Sequence, residues 1–329
     1  MVGQSPAFHG LLRLIGKMAA CDAPVLIEGE TGTGKELAAR AIHYQSARKE
    51  RPFIPVNCGA IPDSLIESEL FGHRKGAFTD AKENHPGLVT LAEGGTLFLD
   101  EIDALSAKGQ VTLLRFLQDQ EFRPLGARQV EQGNVRILAA SNASLPLLAE
   151  RGAFRSDLLY RLRILYLELA PLRERNGDVE RLATWFLDAC GKRFGLGEKV
   201  LHPDSLAWMN RYRWPGNIRE LENLLYREYL LSEELMVRVE PPKELHALTR
   251  GPRESPAGEL SFNQAKARAL ETFERDYLLE LLERAGGNIS LAARFAGKER
   301  RSLGKLLKKH GLGGAPRLNG FPLAGRVFV

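Results

Sequence analysis

The stretch Val25-Leu26-Ile27-Glu28-Gly29-Glu30-Thr31-Gly32-Thr33-Gly34-Lys35 decides how the chain folds. Its first four residues read as a short strand, the next seven as a glycine-rich turn, and residues 36–47 as a helix. Strand, glycine-rich loop and helix, in that order, form the context a G-x-x-x-x-G-K phosphate loop requires. Glycines let the backbone wrap closely, so that its N–H groups face phosphate oxygens. The helix N-terminus adds partial positive charge, and Lys35 would neutralise the outer phosphates of a nucleotide. Gly29, Glu30, Thr31, Gly32, Thr33, Gly34, Lys35 and Glu36 are therefore the expected phosphate-binding residues. One departure is visible: Glu36 stands where the general motif has a magnesium-binding Ser or Thr.

Outward from this loop, residues 1–170 alternate between strand and helix patterns. Further strands are expected at 53–57, 96–99, 135–140 and 164–167, with helical patterns between them, for example at 111–118. Such alternation predicts an α/β class with a parallel sheet and helices on its faces. The strand at 96–99 runs into Asp100 and Glu101. Alone, a strand ending in two acids usually marks surface charge. Downstream of a phosphate loop it reads as the second half of a nucleotide site, with Asp100 holding Mg²⁺ directly or through water and Glu101 polarising the attacking water.

Residues 171–240 lose the strand signal and show amphipathic helical stretches at 178–193, 203–212 and 217–231, predicting a helical subdomain. Residues 241–261 are rich in Pro, Gly and charge and read as a linker. Residues 262–312 are helical again, and 313–329 reads as a frayed tail. The chain has 329 residues and a net charge of +5. Residues 1–261 carry 33 basic against 35 acidic residues, and residues 262–310 carry 11 against 6. The basic excess is thus terminal and points to nucleic acid at that end. No run approaches the ~20 apolar residues of a membrane span, and the start MVGQSPAF lacks the features of a signal peptide. The scattered Cys21, Cys58 and Cys190 suit neither a disulfide framework nor a zinc site, and imply a reducing cytoplasm.

In the basic segment, Ile289, Leu291, Ala292 and Phe295 form an apolar helix face, a turn falls at Gly297, and a second helix follows with Leu303, Leu306 and Leu307 inward. This is helix-turn-helix spacing with a basic second helix suited to the major groove. Arg300, Arg301, Ser302 and Lys305 are the expected base or phosphate contacts, with Lys308 and Lys309 meeting phosphate. The preceding helix, 262–284, has apolar spacing suited to dimer packing. Gly304 lies inside the second helix and costs roughly 1 kcal/mol against a good helix former.

Taken together, these motifs resemble the AAA+ ATPases of the sigma-54-dependent transcriptional activators. The resemblance rests on VGQS at 2–5, GETGTGKE at 29–36, ELFGHRKGAFTDA at 69–81 and EGGTLFLDEID at 93–103. It continues through FRSDLLYRL at 154–162, PLRER at 171–175 and WPGNIRELEN at 214–223, and covers residues 1–312. In this family Glu follows the loop lysine, so Glu36 fits. The resemblance implies that Asn57 pairs with the catalytic glutamate, that Asn142 is the first sensor and that Arg219, on the helical lid, is the second. It makes Arg155 and Arg161 arginine fingers reaching a neighbouring subunit's phosphate, and hence implies a homo-oligomer, from dimer to hexameric ring. Gly76, Ala77, Phe78, Thr79, Asp80 and Ala81 are similar to the family's GAFTGA loop, which contacts sigma-54. Asp80 replaces the usual glycine there. The C-terminal helices resemble the Fis-type DNA-binding domain.

The expected protein is then an ATP-hydrolysing activator that binds upstream DNA, oligomerises, and opens promoter complexes of sigma-54 RNA polymerase. Asp80 keeps an alternative open: a DNA-binding repressor or sigma-70-type regulator in which ATP serves only as an assembly switch. The family often carries an N-terminal sensing domain.

Overall fold

Five short runs rich in aliphatic residues build one parallel sheet: β1 (Val25–Glu28), β2 (Phe53–Asn57), β3 (Thr96–Asp100), β4 (Arg136–Ser141) and β5 (Leu165–Glu168). The computed structural model describes residues 1–241, 288–298 and 300–310, together with Glu274, Tyr277, Leu278, Leu281, Leu282 and Ala285. Nearly all of the expected linker, much of the expected 262–284 helix and the expected tail lie outside those residues. The strand order is β2-β3-β4-β1-β5, every neighbour pair parallel. All five expected strands are present within one residue of the expected limits.

Because successive side chains point to opposite faces, each strand feeds two cores. Leu26, Leu97, Leu99, Ile137 and Ala139 pack on one face against Ile66, Leu113, Phe116 and Leu158. Val25, Ile27, Phe98, Leu138 and Ala140 pack on the other against Ile15, Met18, Ala38 and Ile42. Helices on both faces leave the C-terminal ends of the strands open, which is where such sheets bind ligands. Ile15 and Met18 belong to a helix the sequence reading passed over, Pro6–Ala19, whose N-cap Ser5 accepts a hydrogen bond from Phe8 N.

Beyond the sheet, helices Asp178–Phe194, Pro203–Met209 and Asn217–Leu231 enclose a separate core that includes Leu182, Phe186, Trp214, Leu221, Leu225 and Tyr229. This helical lid also holds a two-residue parallel pair, Val200–Leu201 with Met236–Val237. Sheet and lid fall in one compact unit, Met1–Thr249; a second unit spans Arg250–Val329.

In the second unit, helices Ile289–Phe295 and Arg300–Lys309 are joined by a turn in which Gly297 has φ +58°. Asn288 caps the first helix by accepting from Ser290 N and Leu291 N. The core contains Leu278, Leu281, Ala285, Ala292, Ala293, Leu303 and Leu307. Here the expected apolar face of the first helix is corrected in part: Ala292 is inward as expected, and the other three members are not. Ala292 and Ala293 are buried, whereas Ile289, Leu291 and Phe295 are exposed. The small alanine pair occupies the inward positions that hydropathy alone assigns to larger side chains.

Candidate functional site

The turn after β1 needs left-handed backbone at Gly32 (φ +80°) and Gly34 (φ +96°), and glycine supplies it at both. Gly34 then starts the helix Lys35–Tyr44, aiming that helix's free N–H groups into the loop. Lys35 is buried, and its Nζ donates to Gly29 O (2.7 Å), Glu30 O (3.1 Å) and Asn142 Oδ1 (2.7 Å). Thr31 Oγ1 also lies 3.2 Å from Asn142 Oδ1. Asn142, one residue past β4, is therefore tied to the loop lysine.

Neighbouring residues hold this arrangement. Asp103 Oδ1 accepts from Ser141 Oγ (3.0 Å) and from Asn142 N (3.2 Å). On the lid, Asn217 Nδ2 donates to Glu30 Oε2 (3.1 Å) and Thr31 O (3.0 Å), while Ile218 N donates to Gly32 O (3.0 Å). Arg173 grips Glu30 through both guanidinium arms, at 2.6 and 2.8 Å. The Arg173 guanidinium beside it is the main reason the Glu30 carboxyl lies below its ordinary value. Asp103, Arg173 and Asn217 lie inside the motifs at 93–103, 171–175 and 214–223, and no local pattern there marks them out.

A cleft of about 630 Å³ opens between loop and lid. Of the expected residues, Thr31–Glu36, Asp100, Glu101, Asn142 and Arg219 line it. Its other wall is largely apolar, with Val2, Phe8, Leu182, Phe186 and Ile218. The N-terminal segment reaches that wall through buried Asp178, which accepts from Gln4 N, Ser5 N and Ser5 Oγ and pairs with Arg175 (2.7 Å).

Electrostatics in the cleft are strained in both signs. Burial pushes Lys35 down, against the pull of Asp100 and Asp103. Burial pushes Asp100 up, despite the hydrogen bond from Glu101 N. A site whose burial disfavours both a cation and an anion is suited to a ligand bringing countercharge of each kind. Cys58, beside these acids, is pushed up to about 12, first by burial. It is held as a thiol.

Some expected residues lie outside the cleft lining. Gly29 and Glu30 shape the loop from behind. Asn57 sits opposite Asp100 in the β2–β3 register, and its Oδ1 accepts from Gly59 N (2.9 Å). Asn57 and Glu101 both approach Gly59, since a Cβ there would meet Glu101 Oε2 at 3.2 Å and Asn57 Oδ1 at 3.3 Å. Glu36 lines the cleft rim, where its carboxylate pairs with Arg40 (2.7 Å). Arg155 and Arg161 are exposed at the two ends of the helix Ser156–Leu162, with Arg155 held bidentately by Asp157.

The segment 76–81 forms the tip of a ribbon, Gly72–His73 with His85–Pro86. Gly76 N→Ala81 O (2.8 Å) and Ala81 N→Phe78 O (3.0 Å) close the loop. Ala81 is buried, while Thr79 and Asp80 are exposed. Phe78 is 38% exposed and its ring meets His73 edge-on at 4.9 Å. In the second unit, Arg300, Arg301, Ser302, Lys305, Lys308 and Lys309 are all exposed. Lys309 and His310 both reach Glu274, at 3.0 and 2.8 Å.

Sheet order, glycine-rich loop and helical lid define a P-loop AAA+ fold, followed by a Fis-type helix-turn-helix. Residues 1–168 match the family model described as a sigma-54 interaction domain, 173–255 the AAA+ ATPase lid domain, and 269–310 the Fis family of bacterial regulatory proteins. The response regulator protein PilR of Pseudomonas aeruginosa is 44% identical over 95% of this chain and 70% of its own length. The transcriptional regulatory protein ZraR of Klebsiella oxytoca is 44% identical over 92% of this chain and 67% of its own. The structure of NtrX from Brucella abortus in complex with ATP superposes with a TM-score of 0.71 at 33% identity, covering 94% of this chain and 69% of that one. The chain belongs to the family of sigma-54-dependent transcriptional regulators. No helix among the described residues is long and apolar enough to cross a membrane.

Proposed function

We propose that this chain is an ATP-hydrolysing activator of sigma-54 RNA polymerase. One observation carries the reading. Lys35, Asp100, Glu101, Asn142 and Arg219 are gathered at one cleft, whereas Arg155 and Arg161 stand exposed outside its lining. A single subunit thus has the means to grip a nucleotide and two arginines that its own cleft does not use. A ring, hexameric as in the family, gives those arginines a neighbour's phosphate to stabilise.

In this reading the loop N–H groups and Lys35 bind the phosphates, and Lys35 exchanges its bonds to Gly29 O and Glu30 O for phosphate oxygens. Glu101 orients and activates water, Asn57 restrains Glu101 through the Gly59 turn, and Asn142 and Arg219 report the outer phosphate to the strand end and the lid. The apolar wall with Val2, Phe8 and Ile218 accepts the base. Among the described residues no group of three or more His, Cys, Asp or Glu is gathered for a metal. The donor set, one half-buried Asp100 carboxylate beside a phosphate loop, fits a Mg²⁺ carried mainly by phosphate and water. When bound, Mg²⁺ would offset charge on the phosphates. Hydrolysis would shift the Phe78 loop against sigma-54, while dimers hold upstream DNA through Arg300, Arg301, Ser302, Lys305, Lys308 and Lys309. The terminal basic charge and the Fis-type match support the DNA role, and the work would take place in the bacterial cytoplasm.

The test is ATP-dependent open-complex formation with purified sigma-54 polymerase on promoter DNA, read by strand-specific reactivity of melted bases. The expected result is melting that requires hydrolysable ATP. ATP turnover without melting would overturn the reading in favour of an assembly switch on a repressor or sigma-70-type regulator.

A further inference from the structure

Arg155 begins its helix with no side-chain cap of the usual kind. Its backbone N–H is instead accepted by Gln110 Oε1 at 2.9 Å. Gln110 lies on the helix Ala107–Asp119 and is 3% exposed. Its amide Nε2 donates to Leu105 O (3.0 Å) and to Ala153 O (3.1 Å). Leu105 closes the turn Ile102–Ala104 that follows Glu101 directly. Glu101 itself has φ +53°, a left-handed backbone that a non-glycine residue adopts only when its surroundings enforce it. One buried side chain thus joins the chain just after the glutamate of the cleft to the chain on both sides of Phe154, at the root of Arg155. A buried amide with both donor bonds and its acceptor in use has one low-energy placement, and breaking any of the three leaves a buried polar group unpaired.

From this geometry we propose that Gln110 is a positioning residue for Arg155: it sets the arginine offered to the neighbouring subunit according to the loop after Glu101 in its own subunit. The proposal rests on the reading above, in which ATP is hydrolysed between subunits with Arg155 acting across the boundary. Its consequence is directional. A lesion at Gln110 leaves that subunit's own cleft able to bind and hydrolyse ATP but spoils hydrolysis in the next subunit's cleft.

Mixing of full-length subunits tests this. Gln110→Met keeps the volume and removes all three bonds; alone, it is expected to bind a fluorescent ATP analogue like wild type but to turn over ATP at least tenfold more slowly. Glu101→Gln is inactive in its own cleft but offers an intact Arg155. Mixing the two is expected to restore turnover severalfold above the sum of the separate chains, as mixing Arg155→Ala with Glu101→Gln does. Gln110→Glu, which keeps the acceptor for Arg155 N and loses the donors, is expected to fall between wild type and Gln110→Met and to be rescued likewise. It serves where Gln110→Met does not fold. Wild-type turnover by both Gln110 variants, or rescue of Arg155→Ala but not of the Gln110 variants, overturns the proposal and leaves the ring reading intact. Failure of the Arg155→Ala mixture to recover overturns the ring reading itself, and with it this proposal.

Discussion

Gly32 is where one hydrogen atom in place of a side chain carries the most. Its φ of +80° disfavours any L residue, and a Cβ there would run into Gly216 O of the lid. Gly32→Ala is expected to cost about 1–3 kcal/mol from backbone strain alone, and more from the displaced lid. A lower melting temperature, together with weaker nucleotide binding, checks it. Asp178 makes a different single-residue argument. Burial raises its carboxyl, but the N–H groups of Gln4 and Ser5 and the Arg175 guanidinium outweigh that and leave it below the ordinary 3.8. The stability it contributes is whole above that value and is lost as pH falls below it toward the folded value. Asp178→Asn is therefore expected to lower stability at neutral pH and to narrow the gap from wild type below about pH 4, measured by denaturant titration at each pH.

At the scale of elements, the two C-terminal helices show how much a sequence pattern can and cannot give. The helix positions, the Gly297 turn and the burial of Leu303 and Leu307 follow from spacing, because a 3.6-residue period is local. The inward face of Ile289–Phe295 does not. Close helix approach favours the small pair Ala292–Ala293, and hydropathy ranks larger side chains above alanine. The same divide runs through the nucleotide cleft. Lys35, Asp100 and Glu101 were legible because loop and strand end are each contiguous in sequence. Arg173 and Asn217 act on Glu30 from 143 and 187 positions away, and no local period encodes such a pairing. Gln110 and Arg155 are 45 positions apart, and only folding brings Arg155 N to the Gln110 amide. Gly304 gives the element-scale prediction. A Cβ there would meet nothing within 4 Å, so Gly304→Ala should stabilise the Arg300–Lys309 helix by about 1 kcal/mol. The check is a higher unfolding midpoint for the transition of the C-terminal unit in the full chain.

For the whole molecule, charge is divided by task. The AAA+ part is nearly neutral and the basic excess lies on the helix-turn-helix, so salt should weaken DNA binding steeply and leave nucleotide affinity less affected. Glu274 holds back part of that excess by pairing with Lys309. Glu274→Gln is expected to tighten nonspecific DNA binding at low salt and to steepen the slope of log affinity against log salt by about one. An unchanged slope in a fluorescence-anisotropy titration would show that Lys309 does not reach phosphate. The contact between Ile218 N and Gly32 O has a broader meaning. Phosphate loop and lid are joined there main chain to main chain, so a nucleotide that reshapes the loop would pull the lid by a bond that shortening the Ile218 side chain does not remove. Alanine scanning would pass over such a linkage. Amide hydrogen exchange would find it, as a slowly exchanging proton at residue 218 whose protection rises and falls with the nucleotide, and proline at that position would remove its donor.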